Sequence, residues 1–251
     1  MSSAAVPTPP VVLITGAAKR VGAQIARALH QAGAEVLLHY RSSREEALAL
    51  AAQLNDARPG SCSCLQADLL DAAALPGLVS AALARSGRLD ALVNNASSFF
   101  PTPLGSIDEA AWNDLIGSNL KGPLFLSQAA APHLKASGGA IVNITDIHAE
   151  WPLQGYPLYC AAKAGLLGLT RALALELAPQ VRVNAVAPGP IAWPENDAFD
   201  AEARAEIVRR TLLGRIGEPD DIARTVRFLL FDAPFVTGQV INVDGGRSAR
   251  L

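Results

Sequence analysis

The stretch VVLITGAAKRVG, residues 11–22, joins a short apolar, β-branched run to a glycine-containing turn and the start of a helical pattern. In that pattern Val21, Ile25, Ala28 and Leu29 fall at i, i+4, i+7 and i+8, on one face of a helix that ends near Gly33. Glycines in such a strand–turn–helix unit let the backbone approach a pyrophosphate, which also meets the positive end of the helix. The stretch therefore predicts a dinucleotide-binding turn; the alternative is a tight turn that holds no ligand.

Short apolar runs alternate with helical patterns along the rest of the chain, and most runs are continuously apolar, as parallel strands covered on both faces are. The strand candidates are 11–15, 35–40, 62–68, 91–97, 140–146, 181–189 and 239–246. The later helical patterns span about 43–57, 71–86, 107–136, 156–178, 201–213 and 219–232. This alternation predicts an α/β fold: a single Rossmann-type, doubly wound parallel sheet of about seven strands with helices on both faces.

The predicted organisation is a disordered lead-in over 1–10 and one domain over 11–251. The stretch 190–200, PIAWPENDAFD, has two prolines and little periodicity, and it follows the carboxyl end of a strand. Ligands bind at that end of such sheets, so a substrate loop is predicted at about 190–213, its first part acting as a lid.

Composition excludes several classes of protein. Half of the 251 residues are hydrophobic, and the net charge of −2 comes from charges of both signs scattered along the chain. We expect no nucleic-acid or membrane partner, because there is no basic stripe and no apolar run of membrane-spanning length. Cysteines 62, 64 and 160 lack the spacing of a disulfide framework or a metal site, so reduced thiols and no metal are expected. With no secretory signal pattern at the start, a cytoplasmic protein is predicted.

Two features favour NADPH as the dinucleotide. Arg20 stands where a third glycine is common, and its permanent charge suits a phosphate. The second strand ends in His39-Tyr40-Arg41-Ser42-Ser43, with no acidic residue to accept from a ribose 2′-hydroxyl, so an arginine followed by hydroxyls fits a 2′-phosphate. The alternative is that Arg41 and Arg44 are solvated charges that open a helix. Asp68 could accept from the adenine amino group or serve as a turn carboxylate.

The combined motifs resemble the short-chain dehydrogenase/reductase family over roughly residues 11–248. The shared motifs are Thr15-Gly16 with Gly22, Asn94-Asn95-Ala96, Asn119, Tyr159-x-x-x-Lys163 and Pro188-Gly189. Within that family the chain looks like a pteridine reductase, because Asp146 stands where most members carry serine, and because of residues 15–22, 39–42 and 94–104. The loop from Pro190 to Asp200 is more similar to bacterial dihydromonapterin and dihydrofolate reductases than to protozoal pteridine reductases.

The resemblance implies NADPH-dependent reduction of dihydropterins or dihydrofolate, and it implies a site. The catalytic residues would be Asp146, Tyr159, Lys163 and Asn119. The cofactor would contact Gly16, Lys19, Arg20, Val21, Gly22, Tyr40, Arg41, Ser42, Ser43, Asp68, Leu69, Asn95, Ala96, Ser97, Tyr159, Lys163, Pro188, Gly189 and Ile191. The substrate would contact Arg20, Ser97, Phe99, Asp146 and Tyr159. A homotetramer is also implied, with interfaces from the helices at 107–136 and 156–178 and from the C-terminal strand and tail.

The chemistry follows from the residue types. Tyr159 and Lys163 are four apart on one helix face, so the ammonium is expected to lower the pKa of the phenol and ease proton transfer. The family also places this lysine on the cofactor ribose, and Asn119 on a water of the proton relay. A carboxyl group at Asp146 could act with Tyr159 to protonate a ring nitrogen as hydride reaches the neighbouring carbon, and burial would keep part of it protonated. The alternative is a strand-terminal cap.

Phe99 would sandwich a flat pterin against the nicotinamide, and the alternative is that it packs in the core. Two other functions stay open. One is a carbonyl reductase such as a 3-oxoacyl-carrier-protein reductase, which Asp146 and Arg20 disfavour. The other is a non-catalytic NADP(H)-binding regulatory protein, which the intact Asn119, Tyr159 and Lys163 disfavour.

Overall fold

Strand β1, Val11–Ile14, lies in the middle of a parallel sheet in the computed structural model, which describes residues 9–193 and 200–250. Within those residues the sheet has seven strands in the order β3-β2-β1-β4-β5-β6-β7. Val12 pairs with Val36 on one side and with Ala91 on the other. The other strands are β2 Glu35–Tyr40, β3 Cys62–Gln66, β4 Ala91–Asn94, β5 Ala140–Ile144, β6 Arg182–Pro188 and β7 Val240–Val243. The predicted doubly wound α/β sheet is confirmed.

Helices cover both faces of the sheet. They are α1 Arg20–Gln31, α2 Arg44–Ala57, α3 Leu75–Ser86, α4 Glu109–Ile116, α5 Gly122–Ser137, α6 Pro157–Leu177, α7 Ala201–Arg210 and α8 Pro219–Arg227. Val12 and Ile14 of β1 pack in one core with α1, α2 and α8, whereas Val11 and Leu13 pack in a second core with α3, α5 and α6. Both kinds of strand position are buried, which explains why the strands are continuously apolar.

The predicted helix over 107–136 is interrupted. A π-helical turn, Gly117–Lys121, separates α4 from α5, and a second π turn, Phe228–Asp232, follows α8. A Cβ at Gly117 would come within 2.6 Å of the Leu70 side chain, so this turn lies close against the segment after β3. Hydrophobic periodicity cannot distinguish one wider turn inside a helical pattern from a regular helix. The predicted single helix was therefore wrong at this point.

Other boundaries shift by a few residues. The third strand ends at Gln66 rather than 68, α3 begins at Leu75 rather than 71, and α7 ends at Arg210 because Thr211 is extended. The carbonyl of Pro10 accepts a hydrogen bond from the Glu35 amide at 2.9 Å, so the chain is attached to the sheet one residue before β1. The predicted disorder of residues 1–8 and the middle of the predicted lid, 194–199, lie outside the described residues.

Helix α6 is long and apolar enough, by length and composition alone, to cross a membrane, with a mean hydropathy of 1.3 in its best window. This run differs from the expectation, based on the sequence, that no apolar run reaches membrane-spanning length. Half of that window is buried inside the fold, and α6 packs against the sheet through Ala174 and Leu177. A core helix of a soluble protein passes the same test, so this helix is weak evidence for a membrane segment.

The site lies where the strand order reverses. From β1 the chain continues to β2 and β3 on one side, and then returns to β4 on the other side of β1. Connections that leave β1 and β4 in opposite directions open a crevice at the carboxyl ends of these strands. The glycine-rich turn follows β1, and the Asn95-Ala96 segment follows β4, so both face this crevice.

Candidate active site

A cavity of about 570 Å³ opens at the carboxyl ends of the strands. Every residue predicted to contact cofactor or substrate lines it, from Arg41 and Asp68 beyond β2 and β3 to Pro188 and Ile191 beyond β6. Asn119 is the exception among the predicted site residues, because it is fully buried behind the cavity wall. The tertiary fold thus brings together motifs that are up to 175 residues apart in the chain, between Gly16 and Ile191.

The glycine-rich turn is held tightly against the loop after β4. Gly16 has φ +62°, and a Cβ there would come within 2.9 Å of the Ala96 Cα. A Cβ at Gly22 would collide with the carbonyl oxygen of Gly16. The Asn95 amide donates to the carbonyls of Thr15 and Gly16, at 2.9 and 3.1 Å. These glycines are therefore required by the packing of the turn itself.

The start of α1 fits a pyrophosphate. This helix begins at Arg20, and the residue before it, Lys19, provides no side-chain cap. The first N–H groups of a helix have no partner within the helix, and they carry its positive end. The first turn of α1 lines the cavity, so its backbone donors are available to an anionic group there.

The end of the cavity beyond β2 and β3, where the nucleotide is predicted to lie, is called the nucleotide end. It has the residue types that are expected to bind a 2′-phosphate. Arg41, Ser42 and Ser43 follow β2 along the cavity wall, and Arg41 is exposed. Lys19 pairs with Glu46 of α2 at 2.6 Å, which places a second cation on this wall. The Asp68 carboxylate accepts from the Leu70 amide at 3.0 Å and so serves as a turn carboxylate. Asp68 also lines the cavity, and its contact with adenine stays a prediction.

The predicted catalytic groups meet at the other end. The Tyr159 hydroxyl donates to Asp146 Oδ2 at 2.6 Å. The other oxygen, Asp146 Oδ1, accepts from the His148 amide at 2.8 Å and so caps the short 3₁₀ turn Ile147–Ala149. Asp146 is therefore both a cap, as the alternative held, and the hydrogen-bond partner of the tyrosine. The Lys163 ammonium donates to the Ile144 carbonyl at 2.9 Å and lies 5.7 Å from the centre of the Tyr159 ring.

Burial controls the protonation of Tyr159 and Lys163. Burial raises the pKa of Tyr159 well above its ordinary value, and the adjacent Asp146 raises it further, while a hydrogen bond with Ser97 acts in the opposite direction. The expected lowering by Lys163 was wrong for the free protein, because desolvation and the carboxylate together outweigh the ammonium. Burial also lowers the pKa of Lys163 to about 8, and Asp146 opposes that shift. Tyr159 thus holds its proton near neutral pH and can act as a proton donor.

Asn119 holds the loop after β4 in place through hydrogen bonds from the protein interior. It lies in the π turn, where its amide nitrogen donates to the carbonyls of Ser98 and Leu115, both at 3.0 Å. Its side-chain oxygen accepts from the Ser97 hydroxyl at 2.7 Å. Ser97 in turn lies on the cavity wall beside Tyr159. Asn119 thus positions a lining residue, and its predicted role in holding a water stays a prediction.

Phe99 lines the cavity and also belongs to an aromatic cluster. Its ring stacks on Tyr156, with centroids 4.6 Å apart and planes 11° apart. It meets the Tyr159 ring edge-on at 4.8 Å and 80°. Phe99 therefore both packs in this cluster and lines the cavity, while its contact with a pterin stays a prediction.

Comparison with known proteins decides the family. The sequence matches the family described as Enoyl-(Acyl carrier protein) reductase over residues 16–248, which is most of the chain. The chain is a short-chain dehydrogenase/reductase. Pteridine reductase 1 of Leishmania tarentolae is 41% identical over 284 aligned residues, covering 96% of this chain and 97% of that protein.

Other relatives of this short-chain dehydrogenase/reductase are named for a different activity. The 3-oxoacyl-[acyl-carrier-protein] reductase of Staphylococcus aureus is 37% identical, and the match covers 93% of this chain and 96% of that protein. A 3-oxoacyl-[acyl-carrier-protein] reductase of Synechocystis is also 37% identical, with 95% and 97% covered. All of these relatives are matched along nearly their full length, so the comparison shows an oxidoreductase of this family. Their names differ in substrate, so the substrate has to be inferred from the residues of the site.

Sequence reasoning missed a histidine that supports the glycine-rich turn of this short-chain dehydrogenase/reductase. His39 is 2% exposed, and its Nδ1 accepts from the Gly16 amide at 3.2 Å. Its Nε2 faces the Ala67 carbonyl at 3.2 Å, so Nε2 carries the proton. Burial lowers the pKa of His39 to about 4, opposed by Ala67 and Asp68. In sequence, His39 is one more residue of an apolar strand, which gives no signal of this contact.

Further lining residues come from outside the recognised motifs, among them His148, Leu153, Ile207 and Arg247. Ile207 lies in α7 and Arg247 after β7, so only the tertiary fold brings them to the cavity. The C-terminal tail is predicted at a subunit interface, which stays a prediction; Arg247 of this tail also lines the cavity of its own chain.

Arg20 also contacts the start of the predicted lid. Its guanidinium donates to the carbonyls of Ala192 and Trp193, at 3.1 and 3.3 Å. Both Arg20 and Ala192 have φ +51°, a left-handed conformation that is uncommon for residues other than glycine. The contact therefore joins two irregular segments across the mouth of the cavity.

Proposed function

We propose that this protein is an NADPH-dependent reductase of pterins, which converts dihydropterin or dihydrofolate-type substrates into their tetrahydro forms. The observation that carries the proposal is the buried hydrogen bond of 2.6 Å between Tyr159 and Asp146 on the cavity wall. Reduction of a ring C=N bond requires a proton at nitrogen, and a phenol next to a carboxyl group can deliver and restore that proton.

Each group of the chain has a definite task in this reaction. When bound, NADPH would supply the hydride. Tyr159, whose burial keeps the phenol protonated, would donate a proton to the ring nitrogen. Asp146, at hydrogen-bond distance, would share the proton that the phenol releases and receives back. Lys163 stays cationic below about pH 8 and would stabilise the phenolate formed after donation.

The carboxyl group at position 146 supports a pterin over a carbonyl substrate. A carbonyl oxygen needs a hydrogen-bond donor, but Asp146 acts as an acceptor from Tyr159 and from the His148 amide. A carboxylate placed beside a carbonyl oxygen would repel the negative charge that develops during its reduction. The name of the relative pteridine reductase 1 agrees with a pterin substrate. The relatives named 3-oxoacyl-[acyl-carrier-protein] reductase agree instead with the alternative, a carbonyl reductase.

NADPH is proposed over NADH on the residues after β2. Arg41, Ser42 and Ser43 line the nucleotide end of the cavity, with Lys19 on the same wall, and they provide positive charge and hydroxyl donors. Such groups favour a 2′-phosphate through charge-assisted hydrogen bonds. A ribose 2′-hydroxyl would instead favour an acidic residue at the end of β2, where the chain has none.

A cytoplasmic homotetramer is proposed as the working form, with no nucleic-acid or membrane partner. Several large apolar side chains are exposed on one chain, including Phe125 of α5, Leu175 of α6, and Phe228 and Phe235 near the C-terminal strand. Exposed apolar residues on α5 and α6 suit burial against a second copy, as the family resemblance implies.

The test is NADPH oxidation with a panel of dihydropterins, dihydrofolate and an acetoacetyl thioester, with native protein and Asp146→Ser. The proposal expects turnover of a pterin or folate, and loss of that turnover in the variant while NADPH still binds. Turnover of the thioester without turnover of any pterin would contradict the proposal and favour the carbonyl reductase. NADPH binding without turnover of any substrate would favour the regulatory protein.

A further inference from the structure

Arg247 occupies the side of the cavity opposite to the nucleotide end. It begins the short 3₁₀ segment Arg247–Arg250 after β7, the edge strand farthest from β3. The groups expected to hold the 2′-phosphate follow β2, with Lys19 after β1, whereas Asp146 follows β5. Arg247 therefore lies on the substrate side of the cavity that it lines.

The Arg247 guanidinium is half-buried and has no ion-pair partner within residues 9–193 and 200–250. Its Nη1 donates to the Ile207 carbonyl at 3.1 Å, which leaves most of its five donors unused. Burial lowers the pKa of Arg247, and so does Arg210, while Asp244 acts in the opposite direction. The Asp244 carboxylate is engaged by the amides of Gly246 and Ser248, both at 2.8 Å.

A cation in this position favours an anion from outside the chain. A charged group removed from water is stable only when it is paired, and guanidinium groups match carboxylates in a bidentate geometry. The second arginine, Arg210, adds positive potential nearby, although its own guanidinium is paired with Glu206. Ile207 and Trp193 line the same cavity and offer apolar surface to a flat linker.

We propose that Arg247 binds a carboxylate on the side chain of the substrate, and that the enzyme therefore prefers folate-type substrates, which carry an aryl linker and glutamate carboxylates, over pterins with an uncharged side chain. This proposal rests on the proposed function, because it assumes that the pterin ring is reduced at Asp146 and Tyr159. The alternative is that Arg247 only stabilises the C-terminal end of α7 through Ile207.

Steady-state kinetics with dihydrofolate and with a dihydropterin of uncharged side chain separate these roles. Arg247→Gln should raise KM for dihydrofolate roughly tenfold to a hundredfold, as loss of a charge-assisted hydrogen bond does, with kcat little changed. KM for the uncharged dihydropterin should stay within about twofold. Arg247→Lys should recover part of the loss, because it keeps the charge without the planar fork.

The matched control is Arg209→Gln, which removes an equally charged but largely exposed side chain from α7. It should leave KM for both substrates unchanged. Added salt should raise KM for dihydrofolate with native protein but not with Arg247→Gln, since screening weakens only a charge contact. NADPH affinity and the thermal midpoint of each variant show whether the site remains folded.

Three results would overturn the inference. Equal losses with both substrates, together with a lower thermal midpoint, would make Arg247 a structural residue of α7. Native protein that reduces the uncharged dihydropterin but not dihydrofolate would refute the carboxylate contact while the proposed function stands. Native protein that reduces neither substrate but reduces the acetoacetyl thioester would remove the proposed function and this inference with it.

Discussion

His39 makes the stability of the protein depend on pH through its contact with the glycine-rich turn. Its Nδ1 accepts from the Gly16 amide at 3.2 Å, and its protonated Nε2 faces the Ala67 carbonyl. A second proton on the ring would go to Nδ1 and point at the N–H group of Gly16, so the glycine-rich turn would lose its acceptor. The variants that test this are His39→Asn, whose side-chain oxygen can replace the Nδ1 acceptor without titrating, and His39→Leu, which removes it.

The magnitude follows from the lowered pKa. The pKa of His39 falls from an ordinary 6.5 to about 4, mainly through burial. At about 1.4 kcal/mol per unit, this difference corresponds to about 3.5 kcal/mol in the free energy of unfolding. The folded protein keeps the ring neutral, whereas the unfolded chain takes up the proton first. The stability is therefore complete above pH 6.5 and is lost as the pH falls through 6.5 toward 4.

Denaturant unfolding over this pH range is the assay. The free energy of unfolding of the native protein should fall by about 3.5 kcal/mol more than that of His39→Asn. His30, whose pKa is also lowered by burial and by Arg58, contributes in both proteins and cancels in the difference. Affinity for NADPH should weaken in acid for native protein, and at every pH for His39→Leu. Parallel stability curves for native protein and His39→Asn would refute the reasoning.

Three further outcomes are expected. Arg41→Asp should weaken NADPH binding roughly tenfold to a hundredfold and leave NADH binding much less affected; equal affinity of native protein for both cofactors in a fluorescence titration would contradict the 2′-phosphate site. Asp146→Ser and Tyr159→Phe should each lower dihydropterin turnover about a hundredfold to ten-thousandfold, and the double variant should lose less than the product, because the groups act as a unit. Full pterin turnover in Asp146→Ser would leave the aspartate as a cap alone. Sedimentation should show a tetramer, and a stable monomer at micromolar concentration would exclude one.

The sequence was sufficient for the fold and for most of the cavity wall because both depend on local patterns. A parallel sheet presents the carboxyl ends of its strands at one edge, so motifs that follow strands meet there, as Gly16, Asn95 and Pro188 do. Residues such as Arg41 could be assigned from their place after a strand, without knowing any distance.

The remaining features depend on tertiary contacts. His39 and Arg247 contact groups far away in the chain, at Gly16 and Ile207, and neither lies in a pattern that indicates its partner. The pKa of Tyr159 was predicted in the wrong direction because spacing gives the position of Lys163 on the helix but not the burial of the phenol or its distance to Asp146. Protonation is set by the surroundings in space, which the sequence alone does not give.

The π turn at Gly117–Lys121 joins α4 and α5 into one helical segment and changes the direction in which the apolar residues of the segment face. Before it, Leu115 of α4 packs with Leu158 and Tyr159 of α6; after it, Leu126 and Ala130 of α5 pack in the core of the sheet. One extra residue in the turn rotates the side chains of α5 relative to those of α4 by about 100° around the helix axis. The helical segment can therefore present one apolar stripe to α6 and another to the sheet. Deleting one residue of the turn would align the two stripes and separate Asn119 from Ser97, a loss that thermal unfolding and NADPH turnover would both register.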